Sequence, residues 1–251
     1  MTREEKLTLA RELTRLLLAE HGQDAILAVG LHGSVARGDD DGGSGLDLAV
    51  VTARADLAVP DRTLRHRGIV VDLGAITGEG YLAEAAQIGP AWPLAHDQYV
   101  HNLPLHDPTG FFPRLRETHE QAVRHAGDDA FAAAAGSTLA QALDHQARAR
   151  RALAADDPAL ALFAVREAAV LAAMFLGLVA RAAYRNLAHA LQAAGTAPVP
   201  PGFGGTFRLA IAADSDAMLA VAALGEALDA LGELARRDRI PFETDELDAF
   251  L

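Results

Sequence analysis

The chain has 251 residues, with 22 Lys and Arg against 34 Asp and Glu, for a formal net charge of −12. It contains no cysteine, which excludes a disulfide framework, a thiolate metal site and a cysteine nucleophile. Hydrophobic residues make up 51% but aromatics only 5%, so the core has to be built mainly from Ala, Leu and Val. That length suits one large or two modest domains. The charge is spread over both halves, with no basic stripe of the kind that neutralises phosphates, so nucleic acid is not an expected partner. A cationic small molecule suits such a surface better. Lys6 is the only lysine in the chain. The charged start, Met1-Thr2-Arg3-Glu4-Glu5-Lys6, is unlike a signal peptide. No run of about 18 uninterrupted apolar residues occurs, and a cytoplasmic protein without a membrane partner is expected.

In chain order, residues 3–20 read as a helix with Leu7, Leu9, Leu13, Leu16 and Leu17 on roughly one face. The apolar run Ala25 to Leu31 has the pattern of a buried strand. His32-Gly33-Ser34-Val35-Ala36-Arg37-Gly38 then forms a glycine-punctuated turn that can open a short helix, and Asp39 to Gly45 is a loop. Leu46 to Thr52 is a second strand containing Asp47, and Gly68 to Leu73 a third ending near Asp72. A helix is predicted over roughly 77–87, and an extended piece from Tyr99 to Leu105.

From about Asp128 the texture becomes Ala-rich and periodic, predicting helices over 129–155, 158–176, 177–194 and 214–237. Breaks are placed at Asp156-Asp157-Pro158, at Gly195 to Gly205 and at Asp214. Asp157-Pro158 fits an N-cap followed by proline at the first helical position. The expected organisation is an α/β (α+β) domain over residues 1–126 and an all-helical bundle over 127–251.

The stretch that carries chemistry is Gly33-Ser34-Val35-Ala36-Arg37-Gly38, followed after a polar loop by Ser44-Gly45-Leu46-Asp47-Leu48. Glycine lets backbone approach a phosphate, and the serine hydroxyl donates to its oxygens at a helix start. Arg37 adds a planar, charge-assisted contact. Asp47 and Asp72, on neighbouring strands, are candidates to hold Mg²⁺ against a polyphosphate. Those are the ingredients of phosphoryl or nucleotidyl transfer. The blander reading of Gly33-Ser34 is an ordinary turn, and that of Asp72 a solvated aspartate at a strand end.

This pattern resembles the nucleotidyltransferase superfamily related to DNA polymerase β. Within it, the chain is similar to the kanamycin-nucleotidyltransferase family of aminoglycoside-modifying enzymes. The likeness continues through Trp92-Pro93-Leu94-Ala95-His96, Leu103-Pro104-Leu105 with Asp107, and Gly177-Leu178 with Arg181 and Tyr184. The resemblance implies a mixed-sheet nucleotidyltransferase domain followed by a helical domain, assembled as a homodimer whose clefts draw on both subunits. It implies transfer of a nucleoside monophosphate from a Mg²⁺-bound triphosphate, ATP by preference, to a hydroxyl of an aminoglycoside-like cation. Gly33, Ser34, Arg37 and Ser44 would hold the triphosphate, and Asp47 and Asp72 the metal.

Two departures stand out. Where the family carries the first of two paired carboxylates, this chain has Gly45. Where the family carries a catalytic glutamate on the first long helix of the helical domain, the match falls on Gln141, with His145 one turn later in place of a lysine. Glutamine cannot accept a proton as a base, whereas an imidazole can; a shift of one turn would bring in Asp144 instead. The alternative expectation is therefore a homologue that binds nucleotide or ligand with impaired chemistry. Asp39, Asp40 and Asp41 are read as a solvated loop, His96, His101 and His106 as non-ligands, and Trp92 and Tyr99 as core or interface.

Overall fold

The computed structural model describes residues 1–55, 59, 61–197, 202–212, 214 and 216–242. Contacts divide it into two compact units, Met1–Gln87 with Ala95–His125, and Ile88–Leu94 with Ala126–Leu251.

The first unit opens with α1 (Arg3–His21), started by a capping box in which the Thr2 hydroxyl accepts from the Glu5 N–H and the Glu5 carboxylate accepts from the Thr2 N–H. Then come β1 (Ile26–His32), the short α2 (Gly33–Arg37), β2 (Leu46–Thr52), β3 (Arg62–His66) and β4 (Ile69–Thr77). They are followed by α3 (Gly78–Ala85), α4 (Trp92–Val100), β5 (Leu103–His106) and α5 (Phe111–His125). The five strands form one sheet in the order β3-β4-β2-β1-β5, in which only β2 and β4 pair in parallel.

Both faces of this mixed sheet are covered. One apolar cluster joins Leu7, Leu9 and Ala10 of α1 to Val29, Leu31, Leu48 and Val50 of the central strands. The other sets Tyr81, Tyr99, Phe111, Phe112 and Leu115 against Ala28, Ala49 and Val51. Central strands buried on both faces read as continuous apolar runs, which is why β1 and β2 are visible in the sequence.

Several elements differ from expectation. β4 does not stop at Leu73 but runs on through Gly74-Ala75-Ile76 to Thr77, so Asp72 lies within the strand. β3, with the sequence RTLRH, is an edge strand almost wholly exposed, and no apolar alternation announces it. The piece expected to be extended from Tyr99 begins instead inside the helix Trp92–Val100, and the strand is confined to β5. Trp92 and Tyr99 are buried, at 5% and 6% exposure.

The second unit consists of α6 (Asp128–Ala154), α7 (Pro158–Ala180), α8 (Leu187–Thr196), α9 (Phe203–Ile211) and α10 (Ala217–Arg237). The Asp157 side chain accepts from the Leu160 N–H at 3.0 Å, and Pro158 opens α7. The boundary drawn between residues 176 and 177 is absent, and α7 runs through Gly177, which is a packing glycine. Pro93 and Tyr184 press on its bare face. The helix ends at Arg181, whose φ of 49° is left-handed, with the Ala182 N–H returning to the Gly177 carbonyl at 2.8 Å. α9 begins inside the stretch read as a break, whose residues 198–201 lie outside the described residues, as do 213, 215 and 243–251.

α7 packs on α6 and α10, and half of its buried residues are alanines: Ala161, Ala164, Ala168, Ala169, Ala172 and Ala173 are buried beside Val165, Phe175 and Leu178. By length and mean hydropathy α7 is long and apolar enough to cross a membrane, although Arg166-Glu167 interrupts its apolar run. Most of its apolar stretch is buried within the unit, which accounts for it as a core helix.

Candidate functional site

The strand-to-helix turn after β1 places Gly33 at a φ of +76°, open to glycine and strained for other residues. A Cβ there would stand 2.4 Å from the Asp47 carboxylate. Glycine is thus required twice, by the backbone and by the acid packed against it. Pairing register explains the rest of the row. His32 on β1 lies opposite Asp47 on β2, and Asp47 opposite Asp72 on β4. Residues paired on adjacent strands project to the same face, so the three polar side chains share one end of the sheet.

Electrostatics follow from that placement. Burial pushes the Asp47 carboxyl above the usual range; the charges of Asp72 and Asp97 add to the rise, and His32 and Arg37 oppose it. Burial likewise holds His32 below the ordinary imidazole value, against the pull of Asp47 and Asp97. A cation set between Asp47 and Asp72 would relieve their repulsion. Mg²⁺ is commonly held by one or two carboxylates together with substrate phosphates and water, and this pair fits that kind of site. Among the described residues, no group of three or more His, Asp or Glu is gathered as a metal cage.

Gly45 is not an empty slot. A Cβ at that position would meet the Val70 carbonyl oxygen of β4 at 2.8 Å. The neighbouring strand has closed onto the glycine, so a carboxylate there cannot be restored without moving backbone.

Arg37 sits on α2 with its guanidinium committed to Asp97 and, at 3.2 Å, to Asp39. Asp97 also meets His101 at 2.9 Å. Asp97 was missed by the motif reading; the only signal available was a carboxylate close behind Trp92-Pro93-Leu94. The Ser44 hydroxyl donates to the Asp41 carboxylate at 2.9 Å and accepts from the Asp41 N–H at 3.0 Å, closing the loop. That loop is not wholly solvated, since the Asp40 side chain is only 6% exposed.

His96 contacts the buried His119 at 2.9 Å, and His119 in turn reaches the Ala85 carbonyl. His106 lies on β5. Among the described residues the three histidines spaced five apart are not gathered as a metal site.

Gln141 and His145 belong to α6 of the second unit. Gln141 is exposed and donates to the Ser137 carbonyl at 3.3 Å. His145 stands 3.3 Å from the Glu167 carboxylate of α7. Both residues line a 450 Å³ cavity together with Phe163, Arg166 and Glu167. Asp144 is paired with Arg148 at 2.6 Å and is not among the lining residues. Glu167 is the carboxylate that sequence reasoning missed. Its signal was faint: Arg166-Glu167 interrupts an otherwise apolar helix.

The residues Trp92, Pro93, Gly177, Arg181 and Tyr184 meet inside the second unit. Trp92 packs edge-on to Phe131 with ring centroids 5.0 Å apart, the Arg181 guanidinium lies over the Phe131 ring 4.9 Å from its centroid, and the Tyr184 N–H donates to the Pro93 carbonyl at 2.6 Å.

The chain is 27% identical over 207 residues to the aminoglycoside nucleotidyltransferase (4') of Staphylococcus aureus, covering 81% of this chain and 79% of the relative. A second aminoglycoside nucleotidyltransferase (4'), from a Bacillus species, matches with the same identity and coverage. Among solved structures, a nucleotidyltransferase-like protein from Exiguobacterium sibiricum superimposes with a TM-score of 0.51 at 13% identity, covering 90% of this chain and 80% of that one. No family model matches the chain. The fold is a nucleotidyltransferase-like mixed sheet followed by a helical part, and the chain is similar to aminoglycoside nucleotidyltransferases.

Proposed function

We propose that the chain transfers a nucleoside monophosphate from a Mg²⁺-bound nucleoside triphosphate, ATP by preference, to a hydroxyl of an aminoglycoside-like cation. One observation carries this reading: the Asp47 carboxylate fills the space that Gly33 leaves and stands in register with Asp72. A glycine-serine turn and two carboxylates at one end of a sheet are what a polyphosphate with a divalent cation requires. The named relatives supply the acceptor class.

In this reading Gly33 lets the backbone approach the triphosphate, while Ser34 donates to its oxygens. Arg37 and Ser44 border the same phosphates, each already oriented by an aspartate. Asp47 and Asp72 hold Mg²⁺, which supplies charge neutralisation and polarisation of the phosphoryl oxygens. The acceptor oxygen bonds to the α-phosphorus, pyrophosphate leaves, and the hydroxyl proton passes to a base. His145 is the base on the acceptor side, with Gln141 as a neutral hydrogen-bonding neighbour. The active form is a homodimer, for which light scattering at micromolar concentration gives twice the chain mass; a monomer mass contradicts it.

A second reading is favoured by a specific observation. The Val70 carbonyl at the Gly45 position removes the first motif carboxylate in a way that suits a homologue that binds nucleotide without turnover. One experiment separates the two. The protein is incubated with Mg²⁺, mixed nucleoside triphosphates and a pooled aminoglycoside panel, and products are read by mass spectrometry. A mass equal to acceptor plus nucleoside monophosphate establishes transfer and names both substrates. Nucleotide binding without any adduct establishes the second reading.

A further inference from the structure

Lys6 is completely buried, at 0% exposure. A lysine is almost never fully buried unless it is paired, and the partners of Lys6 all lie in the loop 39–45. Its ammonium meets the Asp40 carboxylate at 3.0 Å and donates to the Asp41 carbonyl. One turn earlier on α1, the Arg3 Nε donates to the Val35 carbonyl of α2 at 3.0 Å and lies 3.8 Å from Asp40. The start of α1 thus grips both the helix that carries Ser34 and the loop that carries Ser44.

The loop has the composition of a mobile segment, with Gly42, Gly43 and Gly45 among its residues. Left alone, such a segment pays a large conformational entropy on being ordered. Here it is closed from within and held from below. The Asp41 carboxylate accepts from the Gly43 N–H and the Ser44 hydroxyl, both at 2.9 Å. The Asp41 carbonyl and the Asp40 side chain are then fixed to Lys6. Neither Arg3 nor Lys6 belongs to the motif residues assigned above to phosphate or metal.

We propose that Arg3 and Lys6 are positioning residues that hold the Gly33-Ser34 turn and the loop 39–45 in one arrangement before a triphosphate arrives. Binding then need not order the loop, which is how preorganisation raises affinity. The proposal rests on the reading that this turn and loop hold a nucleoside triphosphate. Lys6 acts through Asp40 and Asp41, and Arg3 through Val35 and Asp40; neither touches the reacting atoms.

The test compares the natural chain with Arg3→Ala and with the double variant Lys6→Met, Asp40→Asn. The double variant removes both charges, so that neither is left buried and unpaired. Two quantities are read well below the melting temperature: hydrogen exchange of residues 39–45, and the dissociation constant of magnesium ATP. In the double variant, the loop amides exchange at least about tenfold faster and magnesium ATP binds about tenfold more weakly. Arg3→Ala shifts both in the same direction by about threefold. A merely structural role would lower the melting temperature and leave the dissociation constant unchanged. Natural exchange and natural affinity in either folded variant overturn the proposal. Should the double variant fail to fold, Arg3→Ala decides alone, because that side chain is 45% exposed. If the natural chain binds no magnesium ATP, the transferase reading fails, and the exchange data still support or overturn the brace.

Discussion

The two units place their polar residues by different rules. In the first, strands fix neighbours by register, so His32, Asp47 and Asp72 follow one another across β1, β2 and β4. In the second, buried alanines bring α6 and α7 together, and nothing in an alanine pattern says which residue faces which. His145 meets Glu167 because two long helices happen to pack in that rotation. A sheet therefore gives motif residues an address that can be read from spacing, whereas a helix pair gives one only after packing is known.

That contrast can be sharpened by substitution, starting where the largest effect lies. Asp47→Asn removes a half-buried acid to which the proposed function gives the metal. Initial rates of pyrophosphate release should fall by about a thousandfold or more, the equivalent of several kcal/mol of transition-state stabilisation, with the melting temperature little changed. In the second unit the comparable loss is one of packing. Phe131 is 4% exposed and lies beneath Trp92 and Arg181, so Phe131→Ala should cost about 3–5 kcal/mol in urea unfolding.

Gly45→Asp restores a motif carboxylate by sequence but forces the Cβ against the Val70 carbonyl. The expected outcome is destabilisation of about 1–3 kcal/mol and no gain in transfer rate. A more active and equally stable variant would show that β4 yields easily at this point.

The smallest effect concerns pH. Burial is the leading cause holding both His96 and His119 below the ordinary imidazole value. The unfolded chain then binds more protons than the folded one from about pH 6.5 downward, so their contribution to stability is complete above that pH and lost as pH falls. Melting temperature should drop between pH 7.5 and pH 5.5, and His119→Gln should reduce the slope. An unchanged slope would mean that other groups set it.

Much of the first unit was legible in the sequence. β1 and β2 show themselves as apolar runs because both faces of the sheet are covered, and the Gly33 turn between them is punctuated by glycine. β3 was not legible, because an exposed edge strand reading RTLRH has no alternation to detect. α5 was missed for a related reason: its buried residues are Phe111, Phe112, Leu115 and His119, and a histidine in the last core position hides the helical period. In the second unit α7 was cut short, because a glycine that makes room for Pro93 and Tyr184 looks like a stop. For the site, Gly33, Asp47 and Asp72 were visible as residue types at fixed spacing. The Arg37–Asp97 pair and the Lys6–Asp40 pair were not, since each joins positions 34 to 60 residues apart.

The most direct test of the account is to follow backbone amide shifts while magnesium ATP is titrated into the natural chain and into Asp47→Asn. The account predicts saturable shifts centred on Gly33, Ser34 and Asp47 in the natural chain, and no saturation in the variant. Shifts centred on the helices of the second unit, or equal binding by Asp47→Asn, would contradict it.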